Sequence, residues 1–475
     1  MKGGWIDNLA AVEPDRVAVG DGIEELTYGD LRRQARQHAT ILSGQYGSGT
    51  FLIIKATPSA AFVRTLLAVM WSGNTPVPVD PTLPPAALDV IRDTSQAPAV
   101  LEPLPVPDAA VAEEDRYNAA RPALVVFTSG TSGVPKGVVV SDANLSHSCA
   151  TIACYLDYPA YPSAAVALPL FYSYALISQV LCQLSIGGRV RLFSDLRNPL
   201  KLASIVEAEG LQTFCGVPAT YYGLCSCHAL RPLSMPSVRI LCSAGAAMDA
   251  GLLDTVRAIF PNATFFNNYG MTEASPRIAF IRDDDPRFSE PTCGRPIAGV
   301  EVRIVDPHTM REVSEGQAGM LVVRGPNVTS GYLNEPEQTA QAFTADGCLK
   351  SGDMAYLDRG YIFILGRYDD VFNSGGEKIA PLEIERALNS CPGVEGSAVT
   401  GVQDPQRGMV PVAFVKAAAD LSRQQLVGHA SRHLSKAKVP TRFFRVSGFP
   451  MTPNGKLQRK RLSPSDETYV LGELR

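Results

Sequence analysis

Hydrophobic and polar positions follow two rhythms along the chain, and the change from one to the other marks its organisation. Near the start, Leu26 to Ala39 (LTYGDLRRQARQHA) is spaced as a Thr-capped amphipathic helix. FLIIKA at 51–56 is a short β-rich run, an apolar helix follows from about Ala60 to Ser72, and VPVD at 77–80 closes the unit. Strand and helix go on alternating to about residue 300 through LVVF (124–127), VRLF (190–193), VRILC (238–242) and TFFNNY (264–269). That alternation predicts parallel α/β layers. From Gly294 the runs shorten to VEVRIVD (300–306), GMLVVRG (319–325) and GYIFILG (360–366), punctuated by Gly and Pro, which predicts an antiparallel, barrel-like region. Beyond Arg367, the polar YDDVFNSGGEK leads to a helix at about Pro381–Ser390, strands near 394–403 and 410–417, another helix and a basic tail. The expected organisation is a large α/β N-terminal domain over 1–368 and a small α+β domain over 369–475.

Composition narrows the classes of function. The 475 residues include 43 basic and 47 acidic side chains, a net charge of -4. So even a balance argues against a general binder of nucleic acid or membrane surfaces. The 45% apolar content over this length excludes wholesale disorder. Charge divides unevenly: residues 369–475 hold 15 Lys/Arg and 11 Asp/Glu, a net of +4, which leaves -8 for 1–368. A basic cap on an acidic body suits a polyanionic ligand, while the bland alternative is a solvated face around Arg459, Lys460 and Arg461. Ten cysteines lack a disulfide or zinc rhythm, and Cys225, Cys227 and His228 have no second pair at a useful spacing, so buried thiols in a reducing compartment are expected. MKGGWIDNLA lacks the apolar core of a signal peptide. Tyr158 to Gly188 is uncharged over 31 residues, but Pro159, Pro162, Pro169, Gln179 and Gln183 suit a buried helix and strand better than lipid. No membrane span and a cytoplasmic location follow as expectations.

The most informative segment is FTSGTSGVPKGVVVS, 127–141, directly after the LVVF run. Gly130, Gly133 and Gly137 let the backbone bend so that N–H groups converge on phosphate oxygens. Thr128, Ser129, Thr131 and Ser132 add hydroxyls, and Lys136 a positive charge. A phosphate-holding loop, rather than an ordinary strand-to-helix turn, is the better reading. It is not a Walker A loop: counted from Gly130, Pro135 stands before the lysine and Gly137 at the required Ser/Thr position, so a P-loop ATPase is disfavoured.

This segment resembles the signature loop of the adenylate-forming superfamily: acyl-CoA synthetases, adenylation domains of peptide synthetases, and luciferases. The resemblance covers nearly the whole chain, because NNYGMTE (267–273), GMLVVRGPNVTSGYLNEPEQT (319–339), SGDMAYLDRGYIFILGRYDD (351–370), SGGEKIAPLEIE (374–385) and PNGKLQRKRL (453–462) follow in the family's order. Residue chemistry agrees with the roles it implies. Tyr269 offers a face for adenine and Asn267 an amide for its edge; Thr272 can bond the α-phosphate, and Glu273 is a hard ligand for Mg²⁺. The resemblance also implies nucleotide contacts at Gly245 and Gly270, and ribose contacts at Asp353 and Arg367, for which a structural ion pair is the alternative. It makes Asp369 the hinge of a mobile C-terminal lid, and lets a pantetheine arm pass Gly375 and Gly376. Catalysis falls to Lys456, with Thr131 and Glu273.

The implied reaction joins a carboxylate to the α-phosphate of Mg·ATP, then passes the acyl group to a pantetheine thiol. Coenzyme A is the leading acceptor; a carrier protein acting in trans is the alternative, since no DSL-like carrier serine lies in the chain. LPLFYSYAL (168–176) lines the substrate pocket in relatives, and Tyr172 stands where the family often has His. No Asp lies near Tyr174 to hold an α-ammonium, which disfavours a common α-amino acid. Phe171, Cys215, Gly216, Tyr221, Ala244, Asn268, Ser275 and Pro276 complete a mostly neutral pocket, so an aryl or medium-chain acid is expected. Arg277, its one charged neighbour, is read as structural, with a second substrate carboxylate as the alternative. Ser351, Met320 and Ser132 depart mildly from the family pattern, and none removes a reacting group. An inactive nucleotide-binding scaffold would show a broken lysine or glutamate, and a luciferase-like oxygenase would share the same adenylation step.

Overall fold

The computed structural model describes residues 4–474 apart from 109–110, 130–134, 195–197, 246–249, 375–376, 405–407, 418–420 and 452–456. The chain divides into two compact units, Met1–Val302 with Val323–Leu349, and Arg303–Val322 with Lys350–Arg475.

In the first unit, alternation of strand and helix builds a nine-stranded sheet. Its order is Arg295–Pro296, Ala279–Arg282, Thr264–Tyr269, Ile240–Ala244, Thr213–Gly216, Ser163–Val166, Arg189–Leu192, Val17–Gly20 and Glu25–Thr27. The six strands from Thr264–Tyr269 to Val17–Gly20 pair in parallel. Both edges close with antiparallel pairs around the expected parallel centre. A smaller parallel sheet sets Phe51–Lys55 between Thr75–Val79 and Val100–Leu101. Pro122–Ser129 and Pro135–Ser141 form an antiparallel hairpin, so the glycine-rich segment joins two strands rather than a strand to a helix.

Local chemistry explains the helices. Thr27 Oγ1 accepts the Asp30 N–H at 3.1 Å and starts the helix Tyr28–Tyr46, so Leu26 falls in the preceding strand and the helix runs on past Ala39. Ser59 caps Ala60–Trp71 in the same way, and that helix is buried along its length. The uncharged stretch 158–188 holds the strand Ser163–Val166 and a helical run over 173–185 with a π turn at Leu176–Leu181. Its apolar side chains enter the main core with Phe62, Leu66 and Leu145. Among the described residues, no helix is long and apolar enough to cross a membrane.

The second unit carries a four-stranded sheet in sequence order, Glu301–Val305, Gly319–Arg324, Leu349–Asp358 and Tyr361–Arg367. Its last two strands form a hairpin that places Asp353 opposite Arg367. The remainder is α+β. Helices Pro381–Asn389 and Arg423–His433 bury Ile384, Leu388, Leu426 and Ala430 beside Val399, Ala413 and Phe443 of a six-stranded sheet.

Candidate active site

The first unit assembles one group of site residues at the carboxyl ends of its parallel strands, where ligands bind in open α/β sheets. Asn267, Asn268 and Tyr269 end the strand Thr264–Tyr269. Gly245 follows Ile240–Ala244 with a φ of +89°, a conformation that favours glycine. Gly270 leaves no room for a side chain, because a Cβ there would collide with the Pro276 carbonyl. Thr272 and Glu273 lie on the short 3₁₀ turn that follows.

One other motif meets Glu273, and a third meets that motif's tyrosine. Tyr332 Oη donates to Glu273 Oε1 at 2.9 Å, and the Thr329 N–H donates to the Glu273 carbonyl at 2.8 Å. Lys136 Nζ sits over the Tyr332 ring, 5.2 Å from its centroid. Thr128 pairs with Lys136 and Ser129 with Pro135 across the hairpin. Tyr332, which the motif pattern alone does not single out, links the glycine-rich hairpin to the carboxylate. Gly130, Thr131, Ser132 and Gly133 lie outside the described residues.

The expected acyl pocket draws on the same strands. The Ser173 and Thr272 hydroxyls share a hydrogen bond at 3.0 Å, which ties the LPLFYSYAL segment to the nucleotide motif. Phe171 and Tyr172 have ring centroids 4.3 Å apart, and Tyr172 is half-buried. Cys215, Gly216, Tyr221, Ala244, Asn268, Ser275, Pro276 and Arg277 are buried, and Tyr174 is half-buried with its hydroxyl enclosed. Cys215 and Cys242 are register partners on neighbouring strands. Tyr155, which no sequence signal picked out, donates to Asn268 Oδ1 at 2.8 Å and stacks on Phe280 at 4.0 Å. Burial pushes the Tyr155 and Tyr174 hydroxyls well above the ordinary phenol range, so both stay protonated.

In the second unit, Arg367 Nη1 lies 3.2 Å from Asp353 Oδ1 and donates to the Ser351 carbonyl at 2.9 Å. The ion pair named as the alternative for these two residues is therefore present. The Asp353 N–H is held by Ser351 Oγ at 3.0 Å, so serine does here what threonine could do equally. Asp369 is exposed on the 3₁₀ turn Tyr368–Asp370. Its neighbour Asp370 pairs with Arg459 at 3.2 Å, and Arg459 also pairs with Glu385. Gly375, Gly376 and Lys456 lie outside the described residues. Among the described residues, no group of three or more His, Cys, Asp or Glu is placed to hold a metal.

A doubly wound body with a Lys-bearing hairpin, a carboxylate and hydroxyls at its strand ends defines the class: a nucleotide-dependent enzyme acting on a second ligand held against the same strands. Residues 6–333 match the model of the AMP-binding enzyme family, and 383–456 match that of the AMP-binding enzyme C-terminal domain. Feruloyl-CoA synthase of an Amycolatopsis species is 32% identical over 96% of this chain and 97% of its own. A 4-coumarate–CoA ligase of Pinus taeda is 31% identical over 71% of this chain and 64% of its own. Among solved structures, ATP-bound MatB from Rhodopseudomonas palustris superposes with a TM-score of 0.87 at 25% identity, over 96% of this chain and 97% of that one. The chain belongs to the AMP-binding enzyme family, within the adenylate-forming superfamily. It is an adenylate-forming acid–thiol ligase.

Proposed function

We propose that this ligase acts on an aryl carboxylic acid, and that the strand-end cluster of the first unit is where the acid and the triphosphate meet. The carrying observation is the Ser173–Thr272 hydrogen bond at 3.0 Å, because it sets the wall of the acyl pocket against the hydroxyl assigned to the α-phosphate. Aromatic side chains around it (Tyr155, Phe171, Tyr172, Tyr174) offer flat apolar faces, and relatives are named for feruloyl and coumaroyl substrates.

In the first half-reaction a carboxylate oxygen attacks the α-phosphorus, the bond to the β-phosphate oxygen breaks, and pyrophosphate leaves. Positioning and charge neutralisation supply the rate. Glu273 fits a magnesium site as a hard oxygen donor held by Tyr332, and the ion, when bound, offsets phosphate charge. Thr128, Ser129, Gly130, Thr131, Ser132, Gly133 and Lys136 hold the phosphates; Gly245, Asn267, Tyr269 and Gly270 hold the base. Asp353 and Arg367 serve the ribose. Lys456 bridges the carboxylate and the α-phosphate. In the second half-reaction the thiol sulfur attacks the acyl carbon, AMP leaves with the acyl oxygen, and the thiol proton is released. A C-terminal domain over 369–475 turning about Asp369 would bring Gly375 and Gly376 to the pantetheine arm.

Acid-dependent ATP–pyrophosphate exchange, followed by thioester formation with coenzyme A or with a carrier protein, tests this reading. An aryl acid should respond most strongly among aryl, fatty, β-amino and α-amino acids. Lys456→Ala should lose about 10²–10³ of the exchange rate while still making thioester from supplied acyl-AMP. Equal loss of both steps removes Lys456 from its assigned role, and silence across the whole panel removes the ligase.

A further inference from the structure

Arg277 is a buried charged side chain of the first unit to which adenylation chemistry gives no work. It is 1% exposed and among the largest fully buried side chains. No carboxylate pairs with it among the described residues, and its buried Nε has no hydrogen-bonding partner. Its guanidinium lies over the Tyr174 ring, 5.3 Å from the centroid. The Tyr174 hydroxyl has no hydrogen-bonding partner, with the Cys215 and Cys242 thiols and Tyr221 around it, and the Ser275 hydroxyl two residues before Arg277 has none either. The backbone is locked: Asn327 Nδ2 donates to the Arg277 carbonyl at 2.6 Å and to the Ala274 carbonyl at 2.9 Å.

The titratable groups around the guanidinium are Tyr155, Tyr174, Cys242 and Cys215. Burial raises the first three and keeps them neutral. Cys215 alone is held below its ordinary value, chiefly by the Cys242 thiol donating to it. A buried guanidinium without an anion is costly, and a carboxylate that accepts two of its N–H groups removes the cost. The unpartnered hydroxyls of Tyr174 and Ser275 offer donors for the remaining lone pairs of the same carboxylate.

We propose that Arg277 is the specificity-determining cation of the acyl pocket and that the acid this enzyme activates carries a second carboxylate, received by Arg277 with Tyr174 and Ser275. The inference rests on the reading of this cluster as the acyl pocket. A polar pocket of this kind rejects an analogue that lacks the matching group far better than an apolar one rejects a missing methylene. The second carboxylate is not consumed; it only orients the first.

Acid-dependent pyrophosphate exchange on the full chain tests this with matched pairs: benzoate against isophthalate and terephthalate, cinnamate against 4-carboxycinnamate, hexanoate against adipate. In one or more pairs the diacid should exceed its partner in kcat/KM by about 100-fold or more. Arg277→Gln should cost that diacid about 100-fold and raise the monoacid, because the unpaired charge is gone; Arg277→Lys should fall between. Monoacids that match or beat their diacids in every pair overturn the inference and leave the ligase reading standing. Equal loss of both acids in Arg277→Gln does the same. If Arg277→Gln does not fold, the wild-type pairs still decide. A Cys215 thiolate acting as the internal counter-charge predicts no diacid preference, with Cys215→Ser lowering Tm, and that result also overturns the inference. Silence from every acid in both arms removes the ligase reading and this inference together.

Discussion

Polar groups in the two units are satisfied in opposite ways. At the strand ends of the first unit, buried groups lack partners: Arg277 Nε, Tyr174 Oη, Ser275 Oγ and Ser243 Oγ have none. In the second unit, the charges of the motif residues answer one another: Arg367 with Asp353, and Arg459 with Asp370 and Glu385. An orphan in the interior costs free energy until water or a ligand supplies its bond, so at a strand end it is a group free to take up a ligand. A paired charge near the surface can change partners for little, because water covers the difference. The first arrangement suits recognition, and the second suits groups that exchange one contact for another.

The sharpest way to break that comparison lies within the second unit, where the two arginines differ in depth. Arg459 and Glu385 have side chains 15% and 7% exposed. Burial there opposes the charge on Arg459, but Glu385 and Asp370 outweigh it and hold the guanidinium above its ordinary value. Arg459→Met leaves the Glu385 carboxylate buried and unpaired, so unfolding of the second unit should lose about 3–5 kcal/mol. Chemical denaturation followed by far-UV circular dichroism measures it. A loss under about 1 kcal/mol would show that the pair is not holding the helix Pro381–Asn389 to its sheet.

The next effect falls on chemistry rather than stability. Glu273→Gln keeps an acceptor for Tyr332 but removes the charge, so acid-dependent exchange should drop about 10²–10³-fold with little change in Tm. Recovery at high Mg²⁺ would place the residue at the metal. A large fall in Tm would instead make the Glu273–Tyr332 contact structural. Ser173→Ala should be milder, about 1 kcal/mol or a several-fold loss in kcat/KM, because one hydroxyl of a shared bond is removed.

Much of this was legible in the chain, and the failures have physical causes. Strand positions follow the hydrophobic runs closely, as at Phe51–Lys55, because a parallel strand paired on both sides is buried on both faces. Thr27 announced its helix through a bond that spans three residues. The hairpin around the glycine-rich segment was missed, since glycine and serine suit any tight turn and pairing direction leaves no local mark. Tyr155 was missed for a different reason: its partner Asn268 is 113 residues away, and nothing at either site encodes the other. The Arg277 orphan belongs to the same class. Its position is visible in TEASPR, but the lack of a carboxylate within reach is a property of every neighbouring element at once.

Arg367→Met gives the smallest stability effect and the finest test of the comparison. The Arg367 side chain is 42% exposed and that of Asp353 14%, and the pair spans one hairpin. Solvent screens an ion pair so placed, so its removal should cost about 0–1 kcal/mol, well below Arg459→Met in the same unit. The KM for ATP should nevertheless rise several-fold, while acid kinetics at saturating ATP stay near the wild type, because the lost group serves binding of the nucleotide rather than the reacting carboxylate. A stability loss as large as that of Arg459→Met would mean that the pair is a fastener and not an exchangeable contact. An unchanged KM for ATP, with stability also unchanged, would take the ribose role from Arg367 and leave Asp353 to carry it alone.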